Sequence, residues 1–232
     1  PDFIYLHNTW FKASTSIFST IFKSDAKVII KLHNFRYDCT NSYSIKKHLE
    51  GSDYCEACAL KVSRYTFFNK YFNSSYLKSI LAIRYGKKFY NILKNSKVEI
   101  FVLTNFHKTY LETKGFNNIN VFPNYLNIVG SKHISNLKKE KYILYAGRIS
   151  VEKGVDELIN TFLKSDLINY KLKIIGDGPS LEVLKSSYKD SRVEFINFIE
   201  NSRVLELIKS SQAIVTATKL WEGQPTLLCE AS

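Results

Sequence analysis

Short apolar runs alternate along the chain with longer segments whose apolar residues recur at helical spacing, the pattern of a parallel sheet covered by helices. Phe3–Leu6 and Val28–Leu32 read as buried strands with a helix between them around 11–22. A long helical stretch is predicted from about Lys61 to Lys94, followed by a strand over Val98–Leu103. His107–Lys114 reads as a helix closed by Gly115, and Asn120–Phe122 as a short strand running into Pro123. The second half repeats the alternation more cleanly. Its predicted strands are Tyr142–Ala146, Lys171–Ile175, Val193–Ile196 and Ala213–Ala217. Between them Val155, Leu158, Ile159, Phe162 and Leu163 follow the spacing of a helix packed on a sheet, and helices are expected over Leu181–Tyr188 and Arg203–Lys209. The stretch after Pro123 is polar, rich in Asn and Lys, and aperiodic, so the expected organisation is two doubly wound α/β domains, 1–126 and 141–232, with a linker at 127–140.

In open sheets of this kind ligands bind outside the carboxyl ends of the strands, so the polar residues there are the ones to read. His7 and His33 follow the first two strands. Gly147-Arg148 follows the strand at 142–146, with Lys153 just before the next helix; Gly176-Asp177-Gly178-Pro179 and Trp221-Glu222-Gly223-Gln224-Pro225 follow later strands. Candidates at the same kind of edge in both halves suggest a cleft between two sheets. Arg148 and Lys153 flank a loop entering a helix, a placement suited to phosphate, though also common on plain surface. Pro225 suits a first helical turn, which would aim the backbone donors of Thr226 and Leu227 at an anion. Glu222 and Glu230 could accept hydrogen bonds from sugar hydroxyls. Two cations, a helix N-terminus and two carboxylates together describe a sugar attached to a diphosphate.

Composition narrows the field. With 45% hydrophobic residues the 232-residue chain can bury a sizeable core, and no segment approaches a spanning helix. Nothing resembles a secretion leader, four Cys make no disulfide framework, and a reduced cytosolic setting is expected. The start at Pro1 without any Met, and the end inside a predicted helix, read as an internal piece of a longer protein. The net charge of +12 is uneven: 57–98 holds nine cations and nine aromatics but no acidic residue. That segment suits anionic lipid, phosphate or nucleic acid, and equally a solvated lysine face over an aromatic core. No Asp-x-Asp pair exists to grip a metal-bound diphosphate, so no metal is expected there. Cys39, Cys55 and Cys58 fall one ligand short of a closed zinc site unless His48 joins them.

Three stretches, YILYAGRISVEKGVDELINTF, LKIIGDGPSLEVL and TKLWEGQPTLLCEAS, resemble the carboxyl-terminal domain of family-four (group 1) glycosyltransferases, retaining enzymes of the GT-B fold. The first half is similar as well, through PDFIYLHN, VIIKLHNFRYDCTN and FVLTNFHKTYLETKGF. Glu222 and Glu230 match the family's E-x7-E signature, and Arg148 with Lys153 its diphosphate-binding pair. The resemblance implies two Rossmann-like domains facing across a cleft, truncated at both ends. It makes Glu222 a contact of the donor sugar, Glu230 of the ribose, and His33 a neighbour of the transferred sugar and acceptor. His7 would be a further sugar contact or an ordinary loop histidine. The implied activity is retaining transfer from a nucleotide-sugar to a glycan or polyprenyl-linked acceptor in cell-surface polysaccharide synthesis, on the cytoplasmic side and peripheral to the membrane. The competing readings are a basic nucleic-acid-binding module, without a matching motif, and a related phosphorylase or epimerase.

Overall fold

A computed structural model describes residues 1–7, 14–37, 75–125, 138–220 and 222–231. The thiols Cys39, Cys55 and Cys58, His48, Trp221, residues 57–74 of the basic segment, residue 126 and residues 127–137 of the expected linker lie outside the described residues. The chain divides into two compact units, Pro1–Asn124 with Trp221–Gln224, and Tyr125–Leu220 with Pro225–Ser232.

The first unit is a parallel sheet of β1 (Phe3–His7), β2 (Lys27–Lys31), β3 (Val98–Val102) and β4 (Ile119–Val121), in that spatial order. Its crossovers contain α1 (Ile17–Ile21), α2 (Tyr76–Leu93) and α3 (Asn105–Thr113). Val28, Ile30, Val98, Ile100 and Val102 are each no more than 1% exposed. A strand covered on both faces must be apolar nearly throughout, which is why these runs stood out in the sequence. Side-chain hydrogen bonds explain two departures from the predicted bounds. Thr104 caps α3 by accepting from the His107 N–H at 3.2 Å, starting that helix at Asn105. Ser14 Oγ accepts from the Ser16 N–H at 3.2 Å in a local turn, and the described helix begins only at Ile17.

The second unit is a parallel sheet of β5 (Tyr142–Ala146), β6 (Lys171–Ile175), β7 (Val193–Ile196) and β8 (Ala213–Ile214), ordered β7-β6-β5-β8. Helices α4 (Val155–Leu163), α5 (Leu181–Ser187), α6 (Asn201–Ser210) and α7 (Thr226–Ala231) accompany it. One apolar cluster joins Ile159 and Phe162 of α4 to Leu172 and Ile174 of β6, and a second joins Tyr142 and Leu144 to Ile175, Val204, Ile208 and Leu227. Each fully buried aliphatic side chain there contributes about 1.5–3 kcal/mol relative to exposure. β8 is shorter than the predicted 213–217: after Val215 donates to the Leu144 carbonyl at 2.9 Å, the ladder ends and the chain turns toward the loop before α4. Among the described residues no helix is long and apolar enough to cross a membrane.

Within the first core His107 is completely buried, its Nε2 2.8 Å from the Tyr37 hydroxyl and its ring 4.2 Å from that of Phe35. Burial disfavours the imidazolium and pushes the pKa down to about 4. An unfolded histidine titrates near ~6.5, so between the two values the unfolded chain binds the extra proton. The contribution to stability is therefore complete above ~6.5 and lost as pH falls toward about 4, amounting to about 3 kcal/mol in all. Urea unfolding at pH 7 and pH 4.5 should show a loss in the wild type that exceeds the loss in His107→Gln by about 2 kcal/mol. Equal losses would remove His107 as the cause.

Candidate functional site

The strand order of the second sheet reverses at β5. The chain steps outward from β5 to β6 and β7, then returns to β8 on the other side, and the crevice at such a switch point is where α/β sheets take ligands. A cavity of about 400 Å³ opens there. Ala146, Gly147 and Arg148 line it after β5, Gly176 and Asp177 after β6, and Phe198 and Ile199 after β7. Thr226, Leu227 and Glu230 of α7 and Asn201 of α6 complete the wall.

Backbone packing builds its floor. The loops after β5 and β6 run against each other: the Gly147 N–H donates to the Ile175 carbonyl at 3.0 Å, and the Ile149 N–H to that of Asp177 at 2.9 Å. Gly176 has φ +142°, and a Cβ there would lie 1.9 Å from the Gly147 carbonyl oxygen. Gly154, with φ +66°, caps α4 so closely to β8's outgoing chain that a Cβ would lie 2.1 Å from the Ala217 oxygen. The Tyr145 hydroxyl donates to the Arg148 carbonyl at 2.8 Å and fixes the loop from the other side. Leu227, 8% exposed, anchors α7 in the core; the Leu228 and Cys229 N–H groups donate to the Pro225 carbonyl, and those of Thr226 and Leu227 precede that first acceptor's reach.

Arg148, Thr226, Leu227 and Glu230, picked from sequence, thus share one cavity. The Asn201 amide donates to Glu230 Oε1 at 3.3 Å, a tether the sequence reading missed, as it missed the exposed Phe198 ring. Lys153 ends a single helical turn, Val151–Lys153, and is not among the lining residues. Its neighbour Glu152 also went unread. Burial alone would raise that carboxyl's pKa, but hydrogen bonds and the charges of Arg148 and Lys153 outweigh it and hold the group below its ordinary range.

In the first unit His7 and His33 come together at the carboxyl ends of β1 and β2, Nδ1 of His7 standing 3.0 Å from Nε2 of His33. Burial, with His7 and Lys31 adding their charges, holds the His33 pKa below the usual histidine value. Lys31 is 4% exposed, donates to the Pro123 carbonyl at 3.2 Å and lies 4.8 Å over the Phe122 ring. A lysine inside an apolar run was the available signal, and it was passed over. Glu222 is half-buried in the stretch grouped with this unit. The Asn124 N–H donates to Gln224 Oε1 at 2.8 Å, and a Cβ on Gly223 would lie 2.7 Å from the His33 carbonyl oxygen. A separate concavity of about 890 Å³ at the amino ends of β2–β4 is lined by Lys27, Lys97, Glu99 and Asn120 and includes none of the candidates.

Two parallel-sheet α/β units of this kind define the class: the fold is that of the GT-B glycosyltransferases. The solved structure of TarM from S. aureus matches with a TM-score of 0.60 at 15% identity, over 98% of this chain and 38% of that one. The pneumococcal O-GlcNAc transferase GtfA, crystallised with UDP and GlcNAc, matches at 0.59 with 16% identity, over 94% and 38%. HepE of Anabaena, crystallised with UDP and glucose, matches at 0.58 with 14% identity, over 99% and 56%. Residues 131–232 match the family model of glycosyl transferases group 1. The amylovoran biosynthesis glycosyltransferase AmsD of Erwinia amylovora is 28% identical over 149 residues, 57% of this chain and 40% of its own. The chain spans less than half the length of that relative.

Gly176→Ala should destabilise the second unit by at least about 2 kcal/mol, since the new Cβ meets a carbonyl rather than a side chain able to move. Val183→Ala, at a site 64% exposed, should stay within about 0.5 kcal/mol. Thermal unfolding of both variants measures the contrast, and an unchanged Gly176→Ala would contradict the packing described.

Proposed function

We propose that the protein containing this chain moves a sugar, with retention at the anomeric carbon, from a nucleotide-sugar to a glycan or lipid-linked acceptor in polysaccharide synthesis. The observation carrying this reading is the switch-point cavity, where Arg148, the first turn of α7 and Glu230 converge. In this proposal the diphosphate lies against Arg148 and the Thr226 and Leu227 N–H groups, with Lys153 adding long-range charge. Glu230, tethered by Asn201, receives the ribose hydroxyls. Glu222 contacts the donor sugar, and His33 stands near sugar and acceptor. GtfA and HepE, both crystallised with UDP, share the fold and support a uridine nucleotide as the first donor to try.

Leaving-group charge would be met by fixed cations and backbone dipoles rather than by a metal. A panel of UDP- and GDP-sugars offered to the full-length enzyme, with and without excess EDTA, should identify a donor whose transfer survives chelation. Arg148→Ala should weaken UDP binding by about 1.5–3 kcal/mol, the range for a hydrogen bond to a charged group. Activity abolished by EDTA and restored by Mn²⁺, or unaltered UDP affinity in Arg148→Ala, would refute this account of the diphosphate site.

A lipid-linked acceptor calls for a membrane-facing surface, and the exposed basic face of α2 supports this reading. Lys78, Arg84, Lys87 and Lys88 are exposed along it, and Leu77 and Leu81 are 67% and 48% exposed at its start. We propose contact with the anionic cytoplasmic leaflet through this face. The full-length protein should co-sediment with vesicles containing phosphatidylglycerol, less so as salt rises, and Lys87→Glu with Lys88→Glu should reduce binding by more than tenfold, each cation being worth about 1 kcal/mol. Equal binding to neutral phosphatidylcholine vesicles would exclude an electrostatic contact.

A further inference from the structure

Three loops of the first unit enter neighbouring strands at the edge opposite His7 and His33, and each brings polar side chains to the concavity of about 890 Å³. Asp25 precedes β2, Ser96 precedes β3, and Asn117 and Asn118 precede β4. Beneath them the walls are apolar: Val28, Val98, Phe116 and Ile119 belong to the buried core and also line the concavity. An apolar floor under a few polar groups is the usual make-up of a small-molecule site, and the volume lies within the ordinary range of about 300–1,000 Å³.

Which chemistry the rim can hold follows from which groups are already committed. The Lys97 ammonium donates to the Phe22 carbonyl at 3.0 Å, and the Lys27 ammonium lies 5.9 Å over the Phe3 ring. With Asp25, Glu99 and Glu112 set against these two cations, the lining offers no positive field to a phosphate or other polyanion. Backbone donors are spent as well. The Lys27 N–H donates to the Asp2 carbonyl at 3.0 Å, the Lys97 N–H to Asn95 Oδ1 at 2.9 Å, and the Val98 N–H to the Asn95 carbonyl at 2.9 Å. An extended peptide would find no ladder to join at this rim. Neutral amides, a hydroxyl and a carboxylate are left. Among the described residues the side chains of Asp25, Ser96, Asn117 and Asn118 have no hydrogen-bond or ion-pair partner.

Two contacts fix the surrounding wall. Asn118 takes the left-handed conformation, φ +55°, which asparagine tolerates, and its carbonyl accepts the Ile100 N–H at 2.8 Å, tying the loop to β3. The Asn120 amide donates to Glu99 Oε1 at 2.7 Å between β4 and β3. Groups held this way lose little freedom when a ligand arrives. We propose that this concavity binds a neutral oligosaccharide, at a site separate from the switch-point cavity of the second unit. A carboxylate accepts from two hydroxyls at once and an amide both donates and accepts, so the open groups match the adjacent hydroxyls of a sugar ring. The ring's C–H face meets the apolar floor. The site rests on its own lining and not on the sugar-transfer reading; together with that reading it gives the protein a second hold on a glycan chain.

The test applies the full-length protein to an array of neutral and acidic tri- to hexasaccharides, and the neutral oligosaccharide with the strongest signal is then titrated by calorimetry. Asp25→Ala combined with Asn117→Ala, both at exposed positions, should raise its Kd at least about tenfold, as for the loss of two hydrogen bonds. Ser96→Trp, at another exposed position, should fill the concavity and abolish binding. Arg148→Ala, at the switch-point cavity, should leave the Kd unchanged. Silence of every neutral oligosaccharide, binding of acidic ones alone, or a Kd unmoved by the Asp25 and Asn117 substitutions would overturn the site. Failure of UDP to bind the same protein would refute the sugar-transfer reading and leave this result standing.

Discussion

Parallel pairing throughout both sheets forces each crossover to carry the chain back to the same starting edge, so the loops leaving the strands gather at the opposite one. In the second unit that gathering coincides with the reversal of strand order at β5, and the adjoining loops part to leave a cavity. In the first unit the order runs β1-β2-β3-β4 without reversal, and the same edge brings two imidazoles into contact. Both sets of candidate groups are thus consequences of strand direction. The particular residues decide only what chemistry the edge can offer.

How much of this the sequence disclosed depended on whether the deciding contact was local. β5, β6 and β7 were read with their observed ends because strands buried on both faces leave uninterrupted apolar runs. Arg148, Thr226, Leu227 and Glu230 were found by asking which polar groups follow those runs and where Pro225 would start a helix. What escaped was set by partners distant in the chain. The Asn201 tether on Glu230 and the burial of Lys31 against Phe122 depend on how helices and strands dock, which periodicity does not encode. Direct contact between His7 and His33 needed the register of β1 on β2. β8 was overread because its apolar letters continue after its hydrogen-bonded ladder has ended.

Electrostatics distinguishes the two edges. Around the cavity of the second unit an exposed arginine and the open first turn of α7 favour an anion, tempered by Glu152 near Arg148 and Lys153. In the first unit burial, with the charges of His7 and Lys31, holds the inner histidine's pKa below its usual value. One edge carries groups that suit an anion, the other a histidine pair whose inner ring resists protonation.

The glycines of the second unit carry an evolutionary consequence. At positions 154, 176 and 178 the space for a Cβ is already taken by the carbonyl oxygens of Ala217, Gly147 and Ile149. Selection for folding alone would keep those positions glycine in every descendant of this chain, whatever ligand it came to bind. Their persistence among relatives would record the distance between two backbones and would not report on donor preference. The trace of a changed donor is better sought at a neighbour such as Phe198, whose exposed ring faces the same cavity and packs against no core.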